Sequence, residues 1–276
     1  MSPAPDARQQ AWRADLVAAL AGDPFLAYDL DAGSLEVTAT APGLAAAWLS
    51  FHPWRAVRWI TSVAHVPESE ESRAAAVRLV VELAGRGDDA GTPATGVTLP
   101  RLALGLLPAP LRPPHHHEWD HWFTHDVPAG ASMRSAYDVD PPVVDLAADD
   151  PRIPALLELA SPDAPIRPGD PRVVRWAAVE DPAAAGSDDP PLVAVVAVTA
   201  QRSGAAHLND VATHPDVRGR RLARLLCGQV TADALAEGRP AVTLGTYTDN
   251  HAARALYTGL GFSCLHSFAS GELKPA

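Results

Sequence analysis

The chain contains 276 residues, 47% of them hydrophobic, and carries a formal net charge of -11 at pH 7. An acidic protein is a poor general binder of nucleic acids and of anionic membrane surfaces, so neither is expected as a partner. Because the chain has no apolar run of about 18 residues, no signal-peptide pattern and only two cysteines, Cys227 and Cys264, we expect a cytoplasmic protein.

The first half of the chain combines helical patterns with short runs that are typical of strands. Apolar residues at helical spacing predict two helices, over residues 7–21 and 69–84. Strands are predicted over residues 35–38, 56–63 and 96–99. Residues 1–130 are therefore expected to form a smaller α+β domain.

The segment His117-Glu118-Trp119-Asp120-His121 fits the pattern H-E-x-x-H, which binds zinc when a helix places both histidines on one face. Its aromatic residues and the prolines on either side favour a strand over residues 118–125 instead. A strand separates His117 from His121 by about 13 Å, too far for one ion without a turn. We predict an aromatic strand that closes the first domain or lines a substrate cleft, with no catalytic metal; a zinc hydrolase and a structural metal remain alternatives.

A zone rich in Pro, Gly and Asp spans residues 126–152, so a domain boundary is placed near residue 130. The second domain, residues 131–276, reads as helix, three strands, helix, strand, helix, strand. Its helices are predicted over residues 153–160, 222–236 and 252–260. Its strands are predicted over residues 173–179, 192–199, 206–213, 241–247 and 262–268.

The stretch LNDVATHPDVRGRRLARLLCGQV is the most informative part of the second domain. A strand ends at Thr213, a turn follows with Arg218, Gly219 and two further arginines, and a long helix begins. The N-terminus of a helix presents unsatisfied N–H groups and a partial positive charge, which suit a phosphate. Glycine lets an anion approach the backbone, and arginines raise the local potential. The pattern predicts an anion site, with an ordinary solvated basic turn as the alternative.

Two segments carry motifs of a known family. Residues 211–223 resemble motif A of the GCN5-related N-acetyltransferases (GNATs), in which Gln or Arg is followed after two residues by Gly and two positions later by Gly or Ala. The stretch DNHAARALYTGLGF resembles motif B, with these residues at the family's spacing: Asn250, Ala253, Tyr257, Gly261 and Phe262. The resemblance covers roughly residues 140–276. It implies an α/β (mixed α+β) fold of the GNAT acyl-CoA N-acyltransferase type, with a split mixed sheet, and allows residues 1–130 to be a degenerate copy in a tandem.

The resemblance also implies a cofactor site and a catalytic acid. Acetyl-CoA would be the co-substrate, without a metal, and the backbone of Val211, Ala212 and Thr213 would pair with its pantetheine arm like an added strand. The pyrophosphate would lie on the turn and the helix start, formed by Arg218, Gly219, Arg220, Arg221, Leu222 and Ala223. Asn250 would bond the pantetheine or the pyrophosphate side. Tyr257 would protonate the leaving thiolate, with a core aromatic residue as its alternative role.

One position departs from the family pattern, and one role stays open. Arg221 stands where motif A has its central Gly, so a Cβ and a long side chain accompany the backbone N–H, although the guanidinium could add a bidentate phosphate contact. The acceptor ammonium must lose a proton before attack, so a base is needed. The candidates are His207 and Asp210, and the weaker ones are Glu180, Glu118, His121 and His266.

We expect direct transfer of an acetyl group from acetyl-CoA to an amine of a small molecule or a peptide, and the oligomeric state stays open. The alternative from another class is a regulatory or sensing protein that binds acyl-CoA without turnover. The presence of Tyr257 argues against it, because a sensor has no need of an acid for the leaving group.

Overall fold

The computed structural model describes residues 4–52, 56–89, 91 and 93–274. Its longer helices are α1 (Ala7–Ala19), α2 (Glu70–Asp89), α3 (Arg152–Ala160), α4 (Leu222–Ala236) and α5 (His251–Gly259). Its strands are β1 (Leu35–Ala41), β2 (Ala45–His52), β3 (Val57–Ala64), β4 (Gly96–Pro100), β5 (His117–Thr124), β6 (Val143–Leu146), β7 (Val173–Glu180), β8 (Leu192–Ala200), β9 (Ala206–Thr213), β10 (Val242–Tyr247) and β11 (Ser263–Glu272). A short π-helix, Phe25–Asp29, follows α1.

The chain divides into two compact units. Unit 1 comprises Met1–His121, Thr246–Asn250 and Cys264–Ala276. Unit 2 comprises Trp122–Gly245 and His251–Ser263. Neither unit is one continuous segment of the sequence. The last residues of the chain belong to unit 1, together with its first 121 residues. The domain boundary near residue 130 stays a prediction.

Unit 1 is a mixed sheet with α2 packed on one face and α1 on the other. Its strands lie in the order β1-β2-β3-β4-β11-β5. Neighbours β1, β2 and β3 are antiparallel, β3 and β4 are parallel, and β4 and β11 are antiparallel. Leu83 of α2 packs with Ile60 and Val97 on one face, whereas Leu16 of α1 packs with Val63 and Phe268 on the other. Each face of the sheet thus has its own core.

Unit 2 has the same kind of architecture. Its strands lie in the order β10-β9-β8-β7-β6, with antiparallel pairs from β6 to β9 and a parallel pair of β9 with β10. On one face Leu226 and Val230 of α4 pack against Val196, and on the other Ile153 of α3 packs against Val195. β8 is buried along nearly its whole length, as its continuous apolar sequence predicts.

Both units repeat one succession of elements: a helix, three antiparallel strands, a second helix, and a strand parallel to the third. The succession is α1-β1-β2-β3-α2-β4 in unit 1 and α3-β7-β8-β9-α4-β10 in unit 2. A right-handed crossover helix between parallel neighbours is the usual connection in such sheets. This repeat is the pattern expected of an internal duplication.

The fold class predicted from the sequence is confirmed, with an additional N-terminal α+β region. The predicted helices and strands are present, and β9 and α4 match their predicted bounds residue for residue. Two strands were not predicted, β2 in the first half and β6 inside the expected linker. Among the described residues, no helix combines the length and the hydropathy needed to cross a bilayer.

Candidate functional site

The sheet of unit 2 opens along the carboxyl-terminal half of β9. In the described part of the chain, the parallel register of β9 with β10 ends at the pair Leu208 and Leu244. β9 nevertheless continues to Thr213, which pairs on the other edge with Ala194 of β8. The backbone of residues 211–213 therefore borders a gap, where an extended ligand can add as a further strand.

A β-bulge marks the place where the gap begins. The register of β9 with β8 shifts between Val195 and Ala197. Opposite this shift, Asp210 has a φ of 48°, in the left-handed region that non-glycine residues seldom adopt. The extra residue reverses the alternation of the strand, since Leu208 packs in the core with α4 and Ala212 packs in the core with α3. Because of the bulge, the Asp210 side chain does not follow the regular alternation of side chains along β9.

The turn between β9 and α4 is basic and exposed. The Arg218 guanidinium donates to the carbonyl oxygens of Thr213 and Ala160, both at 3.2 Å. The Arg220 guanidinium lies over the Tyr137 ring, 5.4 Å from its centroid. These contacts hold two cationic side chains at the end of β9 in an otherwise acidic protein.

Helix α4 begins in a conformation that keeps its first N–H groups available. Among the described residues, no side chain caps the helix, and the residue at the N-cap is Arg221 with φ 60° and ψ 21°. Gly219 also has a positive φ of 81°. From Leu222 onward the first N–H groups of the helix have no partner within the helix, which makes its N-terminus suitable for an anion.

Tyr257 lies on α5 in the core of unit 2, and its side chain is 5% exposed. Its ring contacts the rings of Trp122 and Phe262, with centroids 6.3 Å and 5.7 Å away. Burial, and secondarily the nearby Cys227 thiol, raise the pKa of the Tyr257 phenol well above its usual value. The phenol is therefore protonated at neutral pH and is able to act only as an acid.

Residues 147–262 match the model of the Acetyltransferase (GNAT) family. This segment contains the opened strand, the basic turn, α4 and Tyr257.

Residues 147–262 form a GNAT domain.

The family assignment places the domain among the acyl-CoA-dependent N-acyltransferases. A search of curated proteins finds no match. Solved structures similar to the chain include an acetyltransferase from the GNAT family from Colwellia psychrerythraea, 9% identical, with a TM-score of 0.55 and coverage of 98% of both chains. A GCN5-related N-acetyltransferase from Kribbella flavida is 16% identical, with a TM-score of 0.50, and covers 99% of this chain and 98% of its own. A further GCN5-related N-acetyltransferase, from Sphaerobacter thermophilus, is 16% identical, with a TM-score of 0.50, and covers 90% of this chain and 83% of its own. At these identities the likeness concerns the fold alone, and it extends beyond the GNAT domain into unit 1.

Most residues predicted to hold the cofactor form one continuous path in the GNAT domain. The path runs along the opened edge, around the turn and into α4, where Leu222 is buried and Ala223 is half-buried. Asn250 belongs to unit 1, directly before the first residue of α5, and its backbone N–H donates to the carbonyl of Tyr247 at 3.1 Å. The binding roles of all these residues stay predictions.

Of the two main candidates for the general base, Asp210 has the more suitable setting. Its Oδ2 accepts the Ile166 N–H at 2.7 Å on the α3 side of the sheet. Burial raises the pKa of the Asp210 carboxyl, although this hydrogen bond opposes the shift. His207 instead lies in the paired part of β9, where its Nδ1 is 2.8 Å from the Thr243 hydroxyl.

The weaker candidates for the base each have a charged partner. The partners are Arg152 for Glu180 at 2.9 Å, Arg101 for Glu118 at 3.3 Å, Asp29 for His121 at 2.7 Å, and Asp23 for His266 at 2.8 Å. Three of these pairs lie in unit 1, outside the GNAT domain. A carboxylate already bonded to a guanidinium is a poor base, since the cation stabilises its ionised form.

The H-E-x-x-H segment forms a strand, as predicted. It lies in β5, with His117 exposed and His121 buried. The helix that places both histidines on one ion is therefore not present in this segment. A search of the described residues finds no group of three or more His, Cys, Asp or Glu that could hold a metal ion.

Unit 1 has a gap at the corresponding place but lacks the basic turn. Its parallel strands β3 and β4 pair only as far as Thr61 and Thr98, although both continue. The first turn of α2 carries Glu70 and Glu71, and the Ser69 hydroxyl caps it by accepting a backbone N–H at 3.0 Å. Acidic side chains and a filled cap exclude an anion from this helix end.

Proposed function

We propose that the GNAT domain transfers an acetyl group from acetyl-CoA to an amine of a small molecule or a peptide. The proposal rests on one observation: the end of β9, which has no strand partner on one edge among the described residues, leads directly into the basic turn and the uncapped N-terminus of α4. One surface offers a strand partner for an amide-bearing arm, and the next offers N–H groups and arginines for a diphosphate. Acetyl-CoA has these two parts in this order.

In the proposed complex, the backbone of β9 binds the pantetheine arm of acetyl-CoA. The two amides of a pantetheine arm are able to pair with the backbone of Val211 to Thr213, as a peptide strand would. The pyrophosphate then meets the N–H groups at the start of α4, with Arg218 and Arg220 exposed beside it. The thioester would thus be positioned near the bulge at Asp210.

Asp210 is the proposed general base. A protonated amine cannot attack a thioester, so a carboxylate near the acceptor nitrogen must take one proton. Burial raises the pKa of Asp210, which brings it closer to neutral pH and makes its carboxylate a better base. The free amine then attacks the thioester carbonyl and forms a tetrahedral intermediate.

Tyr257 is the proposed general acid. When the intermediate collapses, the carbon–sulfur bond breaks and the sulfur leaves with the electron pair. A thiolate has an ordinary pKa near 8.5, so it leaves more easily when a phenol donates a proton to it. The nitrogen of the intermediate loses its surplus proton to a water molecule, which passes a proton on to the phenoxide. Asp210 then releases its proton to the solvent.

The Tyr257→Phe variant tests the proposal most directly. The substitution keeps the ring and its packing but removes the proton, so the turnover rate is expected to fall by about 10²–10⁴-fold with near-normal acetyl-CoA affinity. Thiol release is measured with simple amines, aminoglycosides, polyamines and peptide N-termini as acceptors. Tyr28→Phe in unit 1 is the matched control for the loss of a hydroxyl. Turnover at the normal rate in the Tyr257 variant would show that the residue is packing alone.

A regulatory protein that binds acyl-CoA without turnover is the second candidate. It is favoured by the 5% exposure of Tyr257, which fits a core aromatic residue as well as an acid. Calorimetry separates the two candidates, because a sensor binds acetyl-CoA but releases no thiol with any acceptor of the panel.

We also propose that the remaining part of the chain is a degenerate copy of the same fold. The protein as a whole is proposed to be cytoplasmic. The repeated succession of elements supports the copy, and the acidic α2 start supports the loss of its cofactor site. The two free cysteines fit a reducing compartment.

A further inference from the structure

Unit 1 gathers polar side chains at the carboxyl ends of its two parallel strands, where the pairing of β3 with β4 ends early. Glu68 lies in the turn that follows β3, and Arg101 directly follows β4. β11 runs antiparallel to β4 with Phe268 opposite Pro100, so His266, two residues earlier, lies beside the chain just beyond Arg101. Three elements thus bring a carboxylate, a guanidinium and an imidazole to one edge of the sheet.

Each of these three groups has a buried polar atom without a hydrogen-bond partner among the described residues: Glu68 Oε2, Arg101 Nε and His266 Nδ1. The His266 side chain is 1% exposed, and its Nε2 lies 2.8 Å from Asp23 Oδ2. The other oxygen of Asp23 accepts the Leu26 N–H at 3.1 Å. Because a carboxylate only accepts, Nε2 carries a proton, and Nδ1 is the ring atom that has no partner among the described residues.

Neighbouring charges do not satisfy these atoms. Arg73 Nη1 lies 3.9 Å from Glu68 Oε2, beyond hydrogen-bond reach. Arg101 uses Nη1 to contact Glu118 at 3.3 Å, which leaves Nε–H unused. Burial raises the pKa of Glu68, and the positive charges of Arg73, His266 and Arg101 oppose the rise, as expected of groups that lie close together.

A buried polar atom without a partner costs free energy, and several in one place call for a molecule that satisfies them. The Glu68 carboxylate needs an N–H donor from the ligand, which favours a protonated amine. The Arg101 Nε–H needs an acceptor on the same ligand, which a carboxylate or carbonyl oxygen supplies.

We infer that unit 1 holds a second small-molecule site, which binds an α-amino acid or a similar compound with a protonated amine beside a carboxylate. The ammonium group donates to Glu68, the carboxylate accepts from Arg101, and the ligand also provides the partner of His266 Nδ1. The site does not rest on the function proposed for the GNAT domain, and no bond is made or broken in it. A single ordered water is the competing occupant, since water can donate twice and accept once.

The test uses the full chain and probes of defined chemistry. Thermal shift assays are run with the individual proteinogenic amino acids, with ethylamine as the amine alone and acetate as the carboxylate alone. Any amino acid that raises the melting temperature is then titrated by calorimetry. At least one amino acid is expected to bind more tightly than both single-group probes, because only an amino acid meets donors and acceptors together.

Glu68→Gln keeps the shape of the side chain but removes its charge, and it is expected to weaken binding by about 10–100-fold, as the loss of one charge-assisted hydrogen bond would. Arg101→Gln is expected to weaken it similarly. Glu71→Gln makes the same charge change on an exposed glutamate nearby and should leave binding unchanged. The inference is overturned if no amino acid binds, if the control weakens binding as much as Glu68→Gln, or if a crystal structure grown with the bound amino acid shows only water at the three atoms.

Discussion

Replacing Arg221 by glycine is expected to stabilise the protein. Arg221 has φ 60° and ψ 21°, and the left-handed region costs a residue with a Cβ about 1–2 kcal/mol. Glycine removes this cost but loses about 0.5–1 kcal/mol through the greater freedom of the unfolded chain. The net gain is about 0.5–1 kcal/mol, which corresponds to a rise in melting temperature of about 1–4 °C.

A second substitution separates backbone strain from charge. Arg221→Ala removes the same guanidinium as Arg221→Gly but keeps a Cβ at the strained position. Thermal unfolding is expected to rank the glycine variant as the most stable of the three proteins. Calorimetry with acetyl-CoA then compares the two variants, whose charge is equal, so any difference in affinity reports how closely the backbone approaches the phosphate. A glycine variant less stable than the alanine variant would refute the account of strain.

Because burial raises the pKa of Asp210, kcat/KM should fall as pH decreases through a pKa above that of an ordinary Asp, and Asp210→Asn should lower the rate and abolish this acidic limb in a pH-rate profile. His266→Leu should cost about 3–5 kcal/mol in the free energy of urea unfolding, because Asp23 stays buried without its partner; a loss below 1 kcal/mol would mean that water takes the place of the imidazole. Thiol release should survive EDTA, since the strand separates His117 from His121 by about 13 Å, and stoichiometric zinc in the purified protein would contradict this.

Local patterns in the sequence were sufficient to predict most helices and strands of the GNAT domain. The first and last residues of β9 and α4 could be predicted, because an alternating apolar strand ends at a turn rich in Arg and Gly. β2 was missed because its sequence, AAAWLSFH, begins with good helix formers, and only pairing on both edges makes it a strand. β6 has only four residues inside a Pro-rich segment, too few for a periodic signal.

Contacts between distant parts of the chain could not be predicted from spacing. Residue type makes His121 and His266 candidates for the base, but each lies in a buried pair whose partner is 92 or 243 positions away. The bulge at Asp210 was also invisible, because an extra residue in one strand is defined only against the strand beside it. Residue type suggested which side chains carry chemistry, whereas their neighbours depended on tertiary pairing.

The place of β11 has a consequence for how the protein is made. This strand follows the other strands of the sheet in sequence, yet it pairs with β4 and supplies Phe268 and Ala269 to the two cores of unit 1. Synthesis at about 5–20 residues per second leaves the edge of β4 uncovered for roughly 10–30 s after β5 has emerged. An uncovered strand edge is open to pairing with other chains until β11 covers it. The sheet of unit 1 is therefore completed only after the strands of unit 2 have been translated.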